Sequence, residues 1–126
     1  MVIEIDNLKK SFKDVNAVND LSFKVKEREL FAFLGVNGAG KSTTINIISG
    51  ILKKDGGKVE VCGHNLDDGA DKIKNKIGIV FQNSVLDKTL TVYDNLKYRA
   101  NLYGLFGSKF KERLDEISKL LDLGEI

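Results

Sequence analysis

Gly35-Val36-Asn37-Gly38-Ala39-Gly40-Lys41-Ser42 is the stretch that decides the fold. It fits G-x-x-x-x-G-K-[ST], with an apolar run before it and a helical pattern after it. Each residue type has its own physical reason. Gly35, Gly38 and Gly40 allow positive φ and a close approach of backbone to an anion. The amides of residues 38–43 then converge at a helix N-terminus, where unpaired donors and the helix dipole favour negative charge. Lys41 brings a point charge to the outer phosphates of a nucleoside triphosphate. Ser42 offers a hydroxyl of the hard-oxygen kind that magnesium prefers. A glycine-rich turn that merely precedes Lys-Ser is the bland alternative, and the flanking elements argue against it.

Upstream of the loop, Leu30-Phe31-Ala32-Phe33-Leu34 is continuously apolar. That pattern predicts a strand buried on both faces, as in a parallel sheet under helices. Further back, Ile3 and Ile5 alternate with Glu4 and Asp6, and Leu21, Phe23 and Val25 alternate with Ser22, Lys24 and Lys26. Both stretches predict half-buried strands. Downstream of the loop, a helix is expected from about Lys41 to Ser49, with Ile45 and Ile48 facing inward and Gly50 as its stop. After a turn at Asp55–Gly57, Lys58 to Cys62 predicts a short strand. Gly63-His64-Asn65 and Asp67-Asp68-Gly69 read as turns. Ile77 to Phe81 predicts another apolar strand, closed by Gln82.

Two helices are expected beyond it. Thr91 and Asp94 have capping-box spacing, ahead of a stripe formed by Val92, Leu96, Ala100 and Tyr103. After the loop at 104–107, Phe110, Leu114, Ile117 and Leu121 form a second stripe.

Composition narrows the classes. The 126 residues make one modest domain or a piece of one, and 42% hydrophobic content can support a core. Twenty basic residues against eighteen acidic ones leave +2, without a basic stripe interleaved with aromatics, so no nucleic-acid partner is expected. The single Cys62 forms no internal disulfide and fits a reducing compartment. His64 reads as a turn residue, and a lone His with the single Cys62 does not make a metal site. No apolar run approaches the ~18 residues of a membrane span, and the acidic N-terminal stretch is unlike a signal peptide. A cytosolic location is expected, with any membrane association made through a partner.

The filling of the loop, Asn37-Gly38-Ala39-Gly40-Lys41-Ser42-Thr43-Thr44, resembles the ATP-binding domains of ABC transporters. Leu8-Lys9-Lys10-Ser11-Phe12 is similar to the family's aromatic loop, which implies Phe12 against the adenine. Ala17 and Val18 match the small and aliphatic positions beside the nucleotide. Gly56-Gly57-Lys58-Val59 and Gly63-His64 resemble parts of the family's antiparallel β-subdomain. Ile77 to Gln82 looks like the strand and glutamine of the Q-loop. Thr91-Val92-Tyr93-Asp94-Asn95-Leu96 and Asn101-Leu102-Tyr103-Gly104-Leu105 are similar to the ABC-2 type exporter branch. Val36 and Arg28 depart from residues common there, proline and glycine, and neither change removes a phosphate donor.

The resemblance implies an α/β fold: a P-loop NTPase core of the ABC ATPase type, incomplete, with an antiparallel β-subdomain and the start of the helical subdomain. Residues 1–126 would form a partial ATP-binding domain. In it, 1–83 would hold the β-subdomain and the P-loop core with its Q-loop, and 84–126 the start of the helical subdomain. The cofactors implied are ATP and Mg2+. Nucleotide contacts fall on Phe12, Val18, Gly35, Val36, Asn37, Gly38, Ala39, Gly40, Lys41, Ser42 and Thr43. Lys41 and Gln82 would be catalytic, and Ser42 and Gln82 would serve the metal.

The implied partners are a transmembrane permease subunit, touched by the helical region, and a second ATP-binding domain in a dimer. The implied location is peripheral, on the inner face of the cell membrane. The family's four-residue apolar run ending in Asp, its following Glu and its Leu-Ser-Gly-Gly-Gln signature do not occur here. The 126-residue stretch is therefore expected to bind ATP without turning it over, to end before the signature helix, and to be weakly stable or oligomeric. A non-catalytic nucleotide-binding module and a soluble ABC-type protein without a transport role remain the alternatives.

Overall fold

The computed structural model describes residues 1–38 and 40–124. It divides into two compact units, Met1–Ile79 and Val80–Ile126.

The first unit is built on an antiparallel hairpin. Strand β1 (Ile3–Phe12) turns through Lys13 and Asp14 into β2 (Val15–Val25). Ile3 and Ile5 pair with Val25 and Phe23, and at the tip Phe12 pairs with Val15. Ile5 is fully out of water, as its alternation predicts, and a register shift between Ile5 and Leu8 brings Leu8 inside as well. On its other edge β1 pairs with β3 (Gly56–Val61), with Ile5 opposite Val59. Cys62 and Gly63, both at positive φ, return the chain into β4 (His64–Asn65), the backbone form that suits a two-residue hairpin. The sheet order is β2-β1-β3-β4.

Helix α1 (Lys41–Ile48) and helix α2 (Leu66–Lys74) complete this unit. Ile47 from α1, with Leu66 and Ile73 from α2, joins Ile5, Leu8, Val18, Val59 and Val61 in one core. The inward face of α1 differs from the expected one: Thr44 and Ile47 are buried, Ile48 is half-buried, and Ile45 is 48% exposed. Asp67-Asp68-Gly69 is not a turn but the first part of α2. The Asn65 side chain caps that helix by accepting from the Asp67 amide at 2.9 Å. Asp67 and Asp68 sit in its first turn and Lys72 and Lys74 in its last, the charge order that complements a helix dipole.

Residues 30–34 do not form the expected strand. Phe31 and Phe33 pack on the Phe23 ring, with centroids 5.0 and 5.6 Å away, while Leu30 is 99% and Leu34 88% exposed. The sides alternate as they would in a strand, but no neighbouring strand pairs with this backbone among the described residues. Ile77 to Phe81 is likewise without strand pairing. Ile77 packs against the core of the first unit, and Val80, in the second unit, is 99% exposed.

The second unit holds α3 (Val92–Leu102) and α4 (Gly107–Leu121). The expected cap is present: Thr91 Oγ1 accepts from the Asp94 amide at 3.1 Å and donates to the Asp94 carboxylate at 2.6 Å. Tyr93 meets Phe110 edge-on at 5.5 Å and ties the two helices together, a favoured aromatic geometry. The predicted stripe on α3 is corrected at its ends, since Val92 and Tyr103 are exposed. Tyr93, Asn95, Leu96 and Ala100 are covered instead. On α4, Phe110 is buried, Leu114 and Ile117 are half-buried, and Leu121 is exposed.

Candidate functional site

The loop preceding α1 meets the β1–β2 hairpin at one close point. Gly40 is the N-cap of α1 and takes a left-handed conformation, φ 78° and ψ 6°. A Cβ there would lie 2.3 Å from the Ala17 carbonyl oxygen and 3.1 Å from Val18 Cγ2. Glycine is therefore required twice over, by backbone conformation and by the packed strand beneath it. Gly38 also has positive φ, 87°, but faces open space. Ala39 lies outside the described residues.

No side chain caps α1, and its first turn carries no acidic residue. Helices α2 and α3 are capped by Asn65 and Thr91, while α4, like α1, has no side-chain cap; at α1 a side-chain oxygen would compete with an anionic ligand for the same amides. Thr44 locks the turn from inside. Its amide and its Oγ1 both donate to the Gly40 carbonyl at 2.8 Å, and the residue is buried. Thr44 was not singled out by sequence; its spacing of four from Gly40 was the available clue.

The Lys41 ammonium lies at the loop mouth, donating to the carbonyls of Gly35 and, at 2.7 Å, of Val36. These are neutral acceptors. A phosphate oxygen would give the ammonium a stronger, charge-assisted bond. Ser42 is exposed on the first turn, Thr43 is half-buried, and Val36 and Asn37 are exposed. The Ser42 hydroxyl is of the hard-oxygen kind that fits a magnesium ion held mainly by phosphate oxygens and water.

Phe12 stands at the end of β1 and is 45% exposed, with the Lys10 ammonium 5.3 Å from its ring centroid. Val18 is buried, belonging to the core as well as lying under Gly40. Gln82 belongs to the second unit, exposed and outside any helix or strand.

A strand hairpin packed under a glycine loop, followed by an uncapped helix with Lys-Ser at its start, defines a P-loop nucleotide-binding fold. The family model described as ABC transporter matches residues 18–126. The chain belongs to the ABC transporter family. Among curated relatives, the linearmycin resistance ATP-binding protein LnrL of Bacillus subtilis (strain 168) is 40% identical over 124 residues, covering 98% of this chain and 40% of LnrL. The chain thus spans about 40% of that relative's length. The dimeric structure of MJ0796, a bacterial ABC transporter cassette, superposes with a TM-score of 0.82 at 30% identity, covering 98% of this chain and 58% of that one. A dimeric post-hydrolysis state of MJ0796, bound to ADP and Pi, gives a TM-score of 0.80 at 27% identity over 98% of this chain and 58% of that one. The architecture is the N-terminal part of an ABC ATPase fold: an antiparallel β-subdomain, the P-loop and its helix, and the beginning of the helical subdomain. Among the described residues, no helix is long and apolar enough to cross a membrane.

Proposed function

We propose that this chain binds ATP with Mg2+ as part of the ATP-binding subunit of an ABC exporter. The observation that carries the reading is the uncapped N-terminus of α1, entered through Gly38 and Gly40, with the Lys41 ammonium at its lip. Backbone donors of residues 38–43 would hold the phosphates, with Ala39 assigned from its position in the motif. Lys41 would neutralise the outer phosphates, and Gly35, Val36 and Asn37 would form the outer wall. Ser42 would bind the magnesium ion, which neutralises charge between the phosphates when bound, and Thr43 would contribute its amide. Phe12 would stack on the adenine beside Val18, and Gln82 would serve magnesium and the γ-phosphate.

The division at 1–83 and 84–126 is proposed as a division of labour: nucleotide contacts in the first stretch, contact with a transmembrane permease subunit in the second. Exposed Tyr98, Leu102 and Tyr103 suit such a partner. A second ATP-binding domain would complete the ATPase dimer, on the inner face of the membrane.

Hydrolysis needs groups that this stretch does not carry, a general base above all, and losing one aimed donor typically costs ~10²–10³ in rate. ATP binding without appreciable turnover is therefore expected of the 126 residues alone. Calorimetric titration with ATP and magnesium tests the reading. Saturable uptake that Lys41→Ala weakens at least tenfold is expected. Uptake indifferent to that substitution, or none by the folded chain, would overturn it.

A further inference from the structure

We infer that Asp55 is a positioning residue for the nucleotide base, holding the end of β1 on which Phe12 stands. Asp55 lies between α1 and β3, and sequence reading gives it only a turn. In the structure its polar groups grip the three residues immediately before Phe12. Its amide donates to the Lys9 carbonyl at 2.9 Å. Its Oδ1 accepts from the Lys10 ammonium and its Oδ2 from the Ser11 amide, each at 2.8 Å.

On one side the hairpin tip is held by the ladder pairs Ser11–Asn16 and Phe12–Val15 and by the bond from Ser11 Oγ to Asn16 Oδ1. On the other the β3 ladder ends at Lys9–Gly56, and Asp55 supplies the hold beyond it. Beyond Phe12 the chain turns at once through Lys13, at φ 48°, and Phe12 has Val15 as its ladder partner. The ring is half in water. Lys10 is the link between anchor and ring: its side chain is only 13% exposed, and its ammonium bonds Asp55 while lying 5.3 Å from the Phe12 centroid. A cation near an aromatic face attracts the ring modestly at such a half-exposed site, which favours the ring position the base would meet.

Asp55 also joins the two ends of the ligand. The segment from Lys41 to Asp55 starts at the phosphate loop and finishes on the strand that carries the ring. Together with the Gly40–Ala17 contact, this path sets how far the ring stands from the phosphates. Preorganising that distance raises affinity by removing an ordering cost from binding.

The inference rests on the stacking role proposed for Phe12. It is tested by calorimetry on the full chain with two magnesium-loaded ligands, ATP and inorganic tripolyphosphate, the second lacking a base. Asp55→Ala is expected to weaken ATP about fivefold, the scale of one aromatic contact, and to change tripolyphosphate by less than about twofold on the same scale. Asp55→Asn keeps one acceptor, enough for the Ser11 amide, but loses the charged bond to Lys10, and should restore part of the ATP affinity. Adding Asp55→Ala to Phe12→Ala should cost nothing further. Equal losses for both ligands, no rescue by asparagine, or additive effects with Phe12→Ala would overturn the inference. Should Asp55→Ala fail to fold, Lys10→Met is read in the same way: a loss confined to ATP supports the role, and an unselective or absent loss overturns it. If Phe12→Ala lowers ATP affinity and Asp55→Ala does not, the Asp55 role alone falls. If Phe12→Ala itself changes nothing, the stacking reading falls and takes the Asp55 role with it.

Discussion

A side-chain carbon on Gly40 would meet the carbonyl oxygen of Ala17 at 2.3 Å. The phosphate loop is therefore seated directly on β2, and the loop's shape and the hairpin's packing are one property. Gly40→Ala combines a left-handed backbone with a backbone clash and should destabilise the fold by about 3 kcal/mol or more. Gly38→Ala has a similar φ, 87°, but nothing within 4 Å of the added carbon, so its cost should stay near 1 kcal/mol. Thermal or urea unfolding of the two variants side by side checks this. Equal costs would mean that the Ala17 contact is unimportant.

The apolar residues at 30–34 carry the next expectation. Leu30 and Leu34 point into solvent while Phe31 and Phe33 rest on Phe23. Unpaired backbone beside exposed leucines is a surface for self-association. At micromolar concentration the chain should appear as oligomers by light scattering, and Leu30→Lys with Leu34→Lys should shift it toward monomer. A monodisperse wild-type monomer with a cooperative unfolding transition would refute this.

These same segments mark where sequence reading ran out. The phosphate-loop motif, α1, the outer parts of β1 and β2 and the Thr91 cap were legible because each is specified locally, by turn chemistry, alternation or capping. That the two strands run on to Phe12 and from Val15 as one hairpin was not, since Asn7 and Asp20, of turn composition and at positive φ, lie inside them. Whether Leu30–Leu34 and Ile77–Phe81 form strands is decided by backbone partners elsewhere, which the segments themselves do not encode. Helix α2 was hidden for another reason. Asp67-Asp68-Gly69 has the composition of a turn, yet aspartates also suit a helix's first turn, and Gly69 lets α2 approach His64, where an added Cβ would meet the His64 Cβ at 3.0 Å. In the candidate site, Lys41 and Ser42 are marked by a local motif. The Asp55 bond to Ser11 spans 44 positions in sequence and left no local trace.

Asn95 in the second unit should behave as a loop anchor. It is 7% exposed. Its Oδ1 accepts from the Asp87 amide at 2.9 Å, and its Nδ2 donates to the carbonyls of Asp87 at 2.9 Å and Thr91 at 3.0 Å. Asn95→Ala strands the Asp87 amide in a partly buried site, while the carbonyls of Asp87 and Thr91 keep the Leu90 and residue-95 amides as donors, a loss of about 1–3 kcal/mol. Hydrogen exchange at the Asp87 amide should accelerate roughly tenfold or more, since 1.4 kcal/mol of local opening is a factor of ten. Unchanged exchange there would show that the loop is held by other contacts.

Acid should separate wild type from Asp55→Asn in a defined direction. The hydrogen bond from Lys10, and then that from the Ser11 amide, hold the Asp55 carboxyl below its ordinary value of 3.8. A carboxylate whose folded value is depressed contributes stability that is fully present above the unfolded value and is lost as pH falls through the folded one. The melting temperature of wild type should therefore exceed that of Asp55→Asn at neutral pH, and the gap should close only below pH 3.8. Glu4, held low by Lys24, and Asp87, held low by Thr89, titrate in the same acidic range. They are common to both proteins, so the difference between the two melting curves isolates Asp55. A gap that is constant down to the lowest pH, or that widens in acid, would mean that the ionised Asp55 does not secure the strand before Phe12.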